Sequence, residues 1–145
     1  MSDWRTSYLI ARASRILREH LDEVLAATGL TLAEYTTLSV LSARPGLSNA
    51  RLARRALVTP QAMHKVVRAL EARQLVARDD ASSGGRAREA FVTAAGTRLL
   101  RAVAPRVDAA EDAFFAALDE RERADFESML ARVSGLDTVG ASTRW

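Results

Sequence analysis

The stretch from Ser48 to Val92 constrains the fold most, because its hydrophobic period changes there. It opens with a short amphipathic piece, Ser48 to Arg55. Ser48 is a good N-cap, and Leu52, Ala53 and Ala56 supply the apolar face. A turn at Ala56-Leu57-Val58 leads to Thr59-Pro60. A threonine cap with proline at the first helical position starts a helix, because the missing N–H has no intrahelical partner there. That helix should run to about Arg73. Met63, Val66, Val67 and Leu70 point inward, and Gln61, His64, Lys65 and Arg68 point outward. The period then shortens. Leu75–Arg78 and Glu89–Val92 are strand-like, and polar, glycine-rich 79–86 joins them, which predicts a hairpin.

Helical patterning flanks this stretch on both sides. From about Tyr8 to Ala27 the residues Leu9, Ala13, Ile16, Leu17, Leu21, Val24 and Leu25 recur at helical spacing, and Gly29 supplies a stop. Thr31 with Glu34 forms a capping-box pattern for a helix to Ala43, which Pro45-Gly46 ends. Thr93 caps a helix from Ala94 to about Leu118, with Pro105 expected to kink or split it. Asp119 with Glu122 restarts a helix whose stripe is Phe126, Met129, Leu130 and Val133. Gly135 closes it before a loosely ordered tail ending at Trp145.

Composition narrows the chemistry. A chain of 145 residues, 48% apolar and 27% charged, suits one globular domain. It has no cysteine, which excludes disulfides, thiolate metal sites and thiol redox sensing. Two histidines, His20 and His64, stand far apart in sequence, so no metal site and no cofactor is expected. No apolar run is long enough to span a membrane and no secretory signal is visible, so a cytoplasmic protein is expected. The net charge of +3 hides a division. Between Arg44 and Arg101 twelve basic residues face four acidic ones, a local charge of +8, and the remainder carries −5. Such a block is the footprint of a polyanion-binding surface.

Two short helices, a tight turn, a basic second helix and a hairpin make the order of a winged helix-turn-helix. A helix fits the major groove, where residues near its N-terminus meet base edges. A two-stranded wing can lay an arginine in the adjacent minor groove. The chain resembles the multiple antibiotic resistance regulator (MarR) family over roughly residues 9–133. The resemblance rests on Gly-Leu-Thr at 29–31, Leu-Ala-Arg-Arg at 52–55, Leu-Glu-Ala-Arg-Gln-Leu-Val-Ala-Arg at 70–78 and Val-Thr-Ala-Ala-Gly at 92–96. It departs from the family at two places. The wing's usual Asp-x-Arg is Gly84-Gly85-Arg86, which keeps the arginine and loses the aspartate. The glycine common before Leu-Val is Gln74.

The resemblance implies a mainly α fold in one domain. A winged helix-turn-helix lobe (about 31–93) with a small β-hairpin wing would sit on a helical dimerisation lobe (about 1–30 and 94–145). Phe114, Phe115, Phe126, Met129, Leu130 and Val133 are its candidates for core or interface, with the Trp145 tail. It implies a sequence-specific, double-stranded-DNA-binding transcriptional regulator, a dimeric repressor of a near-palindromic operator released by a small, possibly aromatic, acid. Candidate DNA-binding residues are Thr59, Gln61, His64, Lys65, Arg68, Arg54, Ser82, Ser83 and Arg86. Arg51 and Arg55 accompany Arg54, whereas Arg78 and Arg88 read as structural, pairing with Asp79, Asp80 or Glu89. Candidate effector residues are Tyr8, Arg12, Arg15, His20 and Tyr35, an aromatic floor with cations. An enzyme is not expected, since there is no Ser/His/Asp set, phosphate loop or histidine–carboxylate cluster. The alternatives are an effector-independent regulator, or a winged-helix module for protein or RNA.

Overall fold

The computed structural model describes residues 4–79 and 88–135. Six helices and three short strands follow in the order α1 (Thr6–Ala26), α2 (Leu32–Ala43), β1 (Leu47–Ser48), α3 (Asn49–Arg55), α4 (Pro60–Ala72), β2 (Val76–Arg78), β3 (Glu89–Val92), α5 (Ala94–Phe114) and α6 (Glu120–Val133). The fold is mainly helical and carries a winged helix-turn-helix.

Five of these helices start on a side-chain cap that is visible in the sequence. The hydroxyls of Thr31, Ser48, Thr59 and Thr93 and the carboxylate of Asp119 each accept the backbone N–H three residues on. Thr31–Glu34 and Asp119–Glu122 close full capping boxes, in which the glutamate returns to the cap residue's N–H at 2.9 and 3.0 Å. Only α1 lacks such a cap, with Arg5 at its N-cap.

β3 is the centre of an antiparallel sheet in the order β1-β3-β2. Ala77 pairs with Phe91, and Leu47 with Ala90. The hairpin was expected, but β1 was not. Two residues show no alternation, so only the tertiary pairing reveals them. Gly46, at φ +76°, turns the chain so that its N–H reaches the Ala90 carbonyl at 3.0 Å.

The core gathers Leu25 from α1, Leu38 and Leu41 from α2, Leu52 from α3, Met63, Val67 and Leu70 from α4 and Val103 from α5. Each is essentially sealed from solvent, which favours folding by about 1.5–3 kcal/mol per side chain. Gly96 lets α5 close on the wing. A Cβ there would stand 2.3 Å from the Leu75 carbonyl oxygen and 2.7 Å from Val92 Cγ1, so no larger residue fits without displacing backbone.

Three expectations need correction. Pro105 does not split its helix, since α5 runs unbroken from Ala94 to Phe114. Pro105 is exposed, where its ring costs least, and it removes a single ladder N–H. The helix stops at Phe114 rather than Leu118, because the chain turns there toward the Asp119 cap. Arg78 pairs with Glu71, at 3.5 Å, and with neither Asp79 nor Glu89, while Asp80 lies outside the described residues. Asp79 is already used, its carboxylate accepting Glu89 N–H at 2.8 Å, and Arg88 Nε donates to its carbonyl at 3.3 Å.

α6 buries no residue within the described chain. Arg123 fastens it to α5 with contacts to Asp112 at 2.6 Å and Glu111 at 4.0 Å, and is itself held by Glu127 one turn on in α6 at 3.0 Å. The same guanidinium lies 4.9 Å from the Phe115 ring centroid, a cation–π contact. Phe115 meets Phe114 and Phe126 edge-on. Met129, Leu130 and Val133 project into solvent, as do Trp4, Tyr8, Leu9 and Ile10 at the far end of α1. No described helix is long and apolar enough to cross a membrane.

Candidate nucleic-acid interface

α3 and α4 pack against each other, with the turn 56–59 between them. Asn49 Nδ2 donates to the Pro60 carbonyl at 2.9 Å and ties the start of α3 to the start of α4. Leu52, Ala53, Met63, Val67 and Leu70 anchor the pair to the core, which fixes the opposite face of α4 outward. Gln61, His64, Lys65 and Arg68 all lie on that exposed face, one to two turns apart, and Thr59 is exposed at its head. Arg51, Arg54 and Arg55 are exposed on the neighbouring surface of α3.

None of these cations is ion-paired with another described residue. That distinguishes them from Arg15, Arg73, Arg78 and Arg123, which are each committed to a carboxylate. A face of unpaired cations at the head of an exposed helix is an anion-facing surface. It fits a groove whose walls are phosphates. Ser82, Ser83 and Arg86, with Gly84 and Gly85, lie outside the described residues, and so does the Trp145 tail.

The five candidate effector residues do not come together. Tyr8, Arg12 and Arg15 line one open groove on α1 with Ala11, and Trp4 stacks on Tyr8 with ring centroids 5.1 Å apart. Arg15 is held by Glu19 at 2.8 Å, while Arg12 pairs with no described residue. His20 stands exposed on the same helix, about 18 Å along the axis from Tyr8. Tyr35 is half-buried on α2. Burial, chiefly, pushes its phenol above the ordinary range, Ser39 opposes this by a hydrogen bond, and the nearby acids Glu111 and Asp108 add to it. An anion would meet those acids there.

Sequence reasoning did not single out Arg73. It links the end of α4 to the loop between α1 and α2, donating to the Gly29 carbonyl at 2.9 Å and lying 3.6 Å from Glu34. Its partners are 44 and 39 positions away in sequence, so no local pattern signals it.

Comparison with known proteins agrees with this geometry. The sequence profile of the MarR family matches residues 28–87, the stretch that contains α2 to α4 and β2. The HTH-type transcriptional repressor Rv2887 of Mycobacterium tuberculosis (strain H37Rv) is 41% identical over 126 residues, covering 87% of this chain and 91% of the relative. A crystal structure of Rv2887 in complex with DNA is similar with a TM-score of 0.76 at 37% identity, covering 90% of this chain and 98% of that one. One of Rv2887 in complex with salicylic acid gives 0.75 at 40% identity, covering 91% and 98%. With a helix-turn-helix whose second helix presents unpaired cations, and with relatives of this identity and coverage, the chain belongs to the MarR family of DNA-binding transcriptional regulators.

Proposed function

We propose that the chain is a homodimeric, ligand-released repressor that inserts α4 of each protomer into successive major grooves of a near-palindromic operator. One observation carries this reading: the exposed face of α4 holds Gln61, His64, Lys65 and Arg68 with no carboxylate partner among the described residues. Thr59 caps the helix and is offered to a phosphate. Arg54, with Arg51 and Arg55, takes the backbone, and Arg68 or Lys65 reads guanine or holds phosphate. Ser82, Ser83 and Arg86 of the wing extend the contact into the neighbouring groove. The two helices of a dimer would lie about 34 Å apart, one turn of DNA. The exposed apolar ends of α1 and α6 supply the dimer contact. The setting is the cytoplasm, where the DNA is.

The groove of Tyr8, Ala11, Arg12 and Arg15 is the proposed effector site, with His20 and Tyr35 outside it. An aromatic ring stacks on Tyr8, and a carboxylate meets the guanidinium of Arg12. The Rv2887 complex with salicylic acid supports that ligand class. The ligand releases DNA only by its differential affinity for a dimer whose recognition helices are misplaced.

The test is a gel-shift titration on the DNA upstream of the chain's own gene, beside a scrambled duplex. Arg68→Ala should weaken operator binding by about 1–3 kcal/mol and scrambled-duplex binding by less. Equal losses on both duplexes would remove Arg68 from base reading.

A further inference from the structure

The C-terminal end of α4 is tied toward both long helices, through Arg73 to the chain just past α1 and the start of α2, and through Gln74 to the N-cap of α5. On one side Arg73, the residue that caps α4, donates from Nη1 to the Gly29 carbonyl at 2.9 Å and sits 3.6 Å from Glu34 Oε2. Gly29 stands just past the end of α1, in the left-handed region at φ +70°, which turns its carbonyl toward the guanidinium. Glu34 is buried and already fixed, because its carboxylate also closes the capping box on Thr31 N–H at 2.9 Å. On the other side Thr93, the N-cap of α5, donates its hydroxyl to the Gln74 carbonyl at 2.7 Å. α1 and α5 pack along each other and form the helical lobe. The exposed face that would meet DNA starts at the opposite end of α4, at Thr59 and Gln61.

We propose that Arg73 is a positioning residue that makes the tilt of the recognition helix follow the α1–α5 lobe. The tail of the helix is tied to the lobe, and its head is tied to α3 by Asn49 Nδ2 on the Pro60 carbonyl at 2.9 Å, so the two helices tilt as one unit. Over its 13 residues it is about 20 Å long, so a tilt of about 5° about the tail moves the head by about 1.7 Å. That displacement is enough to break hydrogen bonds to base edges, whose donor–acceptor range spans only about half an ångström. The Thr93 hydroxyl on the Gln74 carbonyl is one polar tie between the tail and the lobe, and the Arg73 contact adds a second on the α1 side. Both contacts come from Nη1, whose direction the planar guanidinium fixes, and a lysine keeps the charge without that fixed direction.

The release part of this proposal rests on the ligand-released reading above, and the experiment separates the two. The chain has no cysteine, so Ala69→Cys on the exposed side of α4 gives one nitroxide site per protomer in the full-length dimer. Label-to-label distance distributions are measured by pulsed electron resonance without ligand, in the Arg73→Gln, Arg73→Lys and Glu34→Gln backgrounds. Glutamine at 34 keeps the capping box and removes only the charge beside Arg73. Operator affinity is measured in parallel with and without salicylate. Leu52→Val, a core truncation away from the contact, controls for lost stability.

The expected result is a narrow distribution in the parent, a broad one in Arg73→Gln, and intermediate widths in Arg73→Lys and Glu34→Gln. Salicylate should weaken the parent's operator binding by a factor in the usual allosteric range of about 5–150, and that factor should fall toward 1 in Arg73→Gln. An unchanged width in Arg73→Gln, or an equal broadening in Leu52→Val, would overturn the positioning role. A parent whose operator affinity ignores salicylate would count against the effector reading instead, and the ligand-free widths would still decide the role of Arg73.

Discussion

Gln74 and Leu57 are the two described non-glycine residues at positive φ, at +57° and +55°. They flank α4: Gln74 follows it, and Leu57 lies in the turn between α3 and α4. A side chain with a Cβ crowds the backbone in this region, and glycine does not. This explains why glycine is common in the family at position 74. It also makes Gln74 a strained residue whose carbonyl is nevertheless in use, since Thr93 donates to it. Gln74→Gly should therefore stabilise the protein by about 0.5–1 kcal/mol, the relief of strain exceeding the extra freedom of glycine in the unfolded chain. Thermal melting should show a rise of about 2–4 °C for each kcal/mol, and a fall would contradict the account. At this scale the caps were legible because each is a bond between residues three apart. The left-handed residues were legible only where glycine occupied them. Leu57, fully exposed, shows nothing in its type that announces its conformation.

At the scale of elements, the elbow between α5 and α6 is an electrostatic joint. Arg123 gathers Glu111, Asp112 and Glu127, and Asp108 and Tyr35 stand near Glu111. Burial raises the Glu111 carboxyl above its usual range, Arg123 pulls it back, and Asp108, Glu127 and Asp112 push it up again. A carboxyl whose folded pKa is raised contributes stability that is present below its unfolded pKa and is lost as pH rises through its folded value. Above that folded value the ionised Glu111 therefore opposes folding. Glu111→Gln should melt above the parent at pH 7, and the difference should shrink as pH falls through the ordinary carboxylate range of about 4, where the unfolded chain takes up its proton too. The contact it gives up, 4.0 Å to a partly exposed Arg123, is of the kind worth little. A lower melting point at pH 7 would show that the ion pair outweighs the desolvation. The helices themselves were legible from their 3.6-residue period. β1 was too short to carry a pattern, and Pro105 misled because a proline inside a helix signals a break that packing on the opposite face overrides.

The whole molecule is divided by charge and by exposed surface. The segment from Arg44 to Arg101, at +8, contains the helix-turn-helix and the wing, and the −5 remainder forms most of the long helical lobe. That lobe leaves its apolar stripe uncovered, with Met129 at 54% and Val133 at 83% exposure on a helix that buries nothing of its own. Substitution there should spare the protomer's fold and act on association. Met129→Asp should weaken the dimer by about 1.5–3 kcal/mol, roughly tenfold or more in its dissociation constant, with the helical circular dichroism unchanged. Sedimentation that shows an unaltered dimer would place the interface elsewhere. The position of the candidate site was legible, because motif order and an outward basic face are local properties. The separation of Tyr8, Arg12 and Arg15 from Tyr35 was not, since it depends on how α1 crosses α2, whereas that from His20 follows from their spacing along α1.

The central claim is that the unpaired cations on α4 and α3, with Arg86, hold a specific duplex until a small acid intervenes. A titration of the full-length protein against the DNA upstream of its own gene, over a series of salt concentrations with and without salicylate, tests it most directly. The account predicts tighter binding than to a scrambled duplex, and a slope of log affinity against log salt of about −4 or steeper, as for four or five neutralised phosphates. It also predicts a marked loss of affinity when salicylate is added. Equal affinity for both duplexes with a shallow slope and no response to salicylate would contradict it.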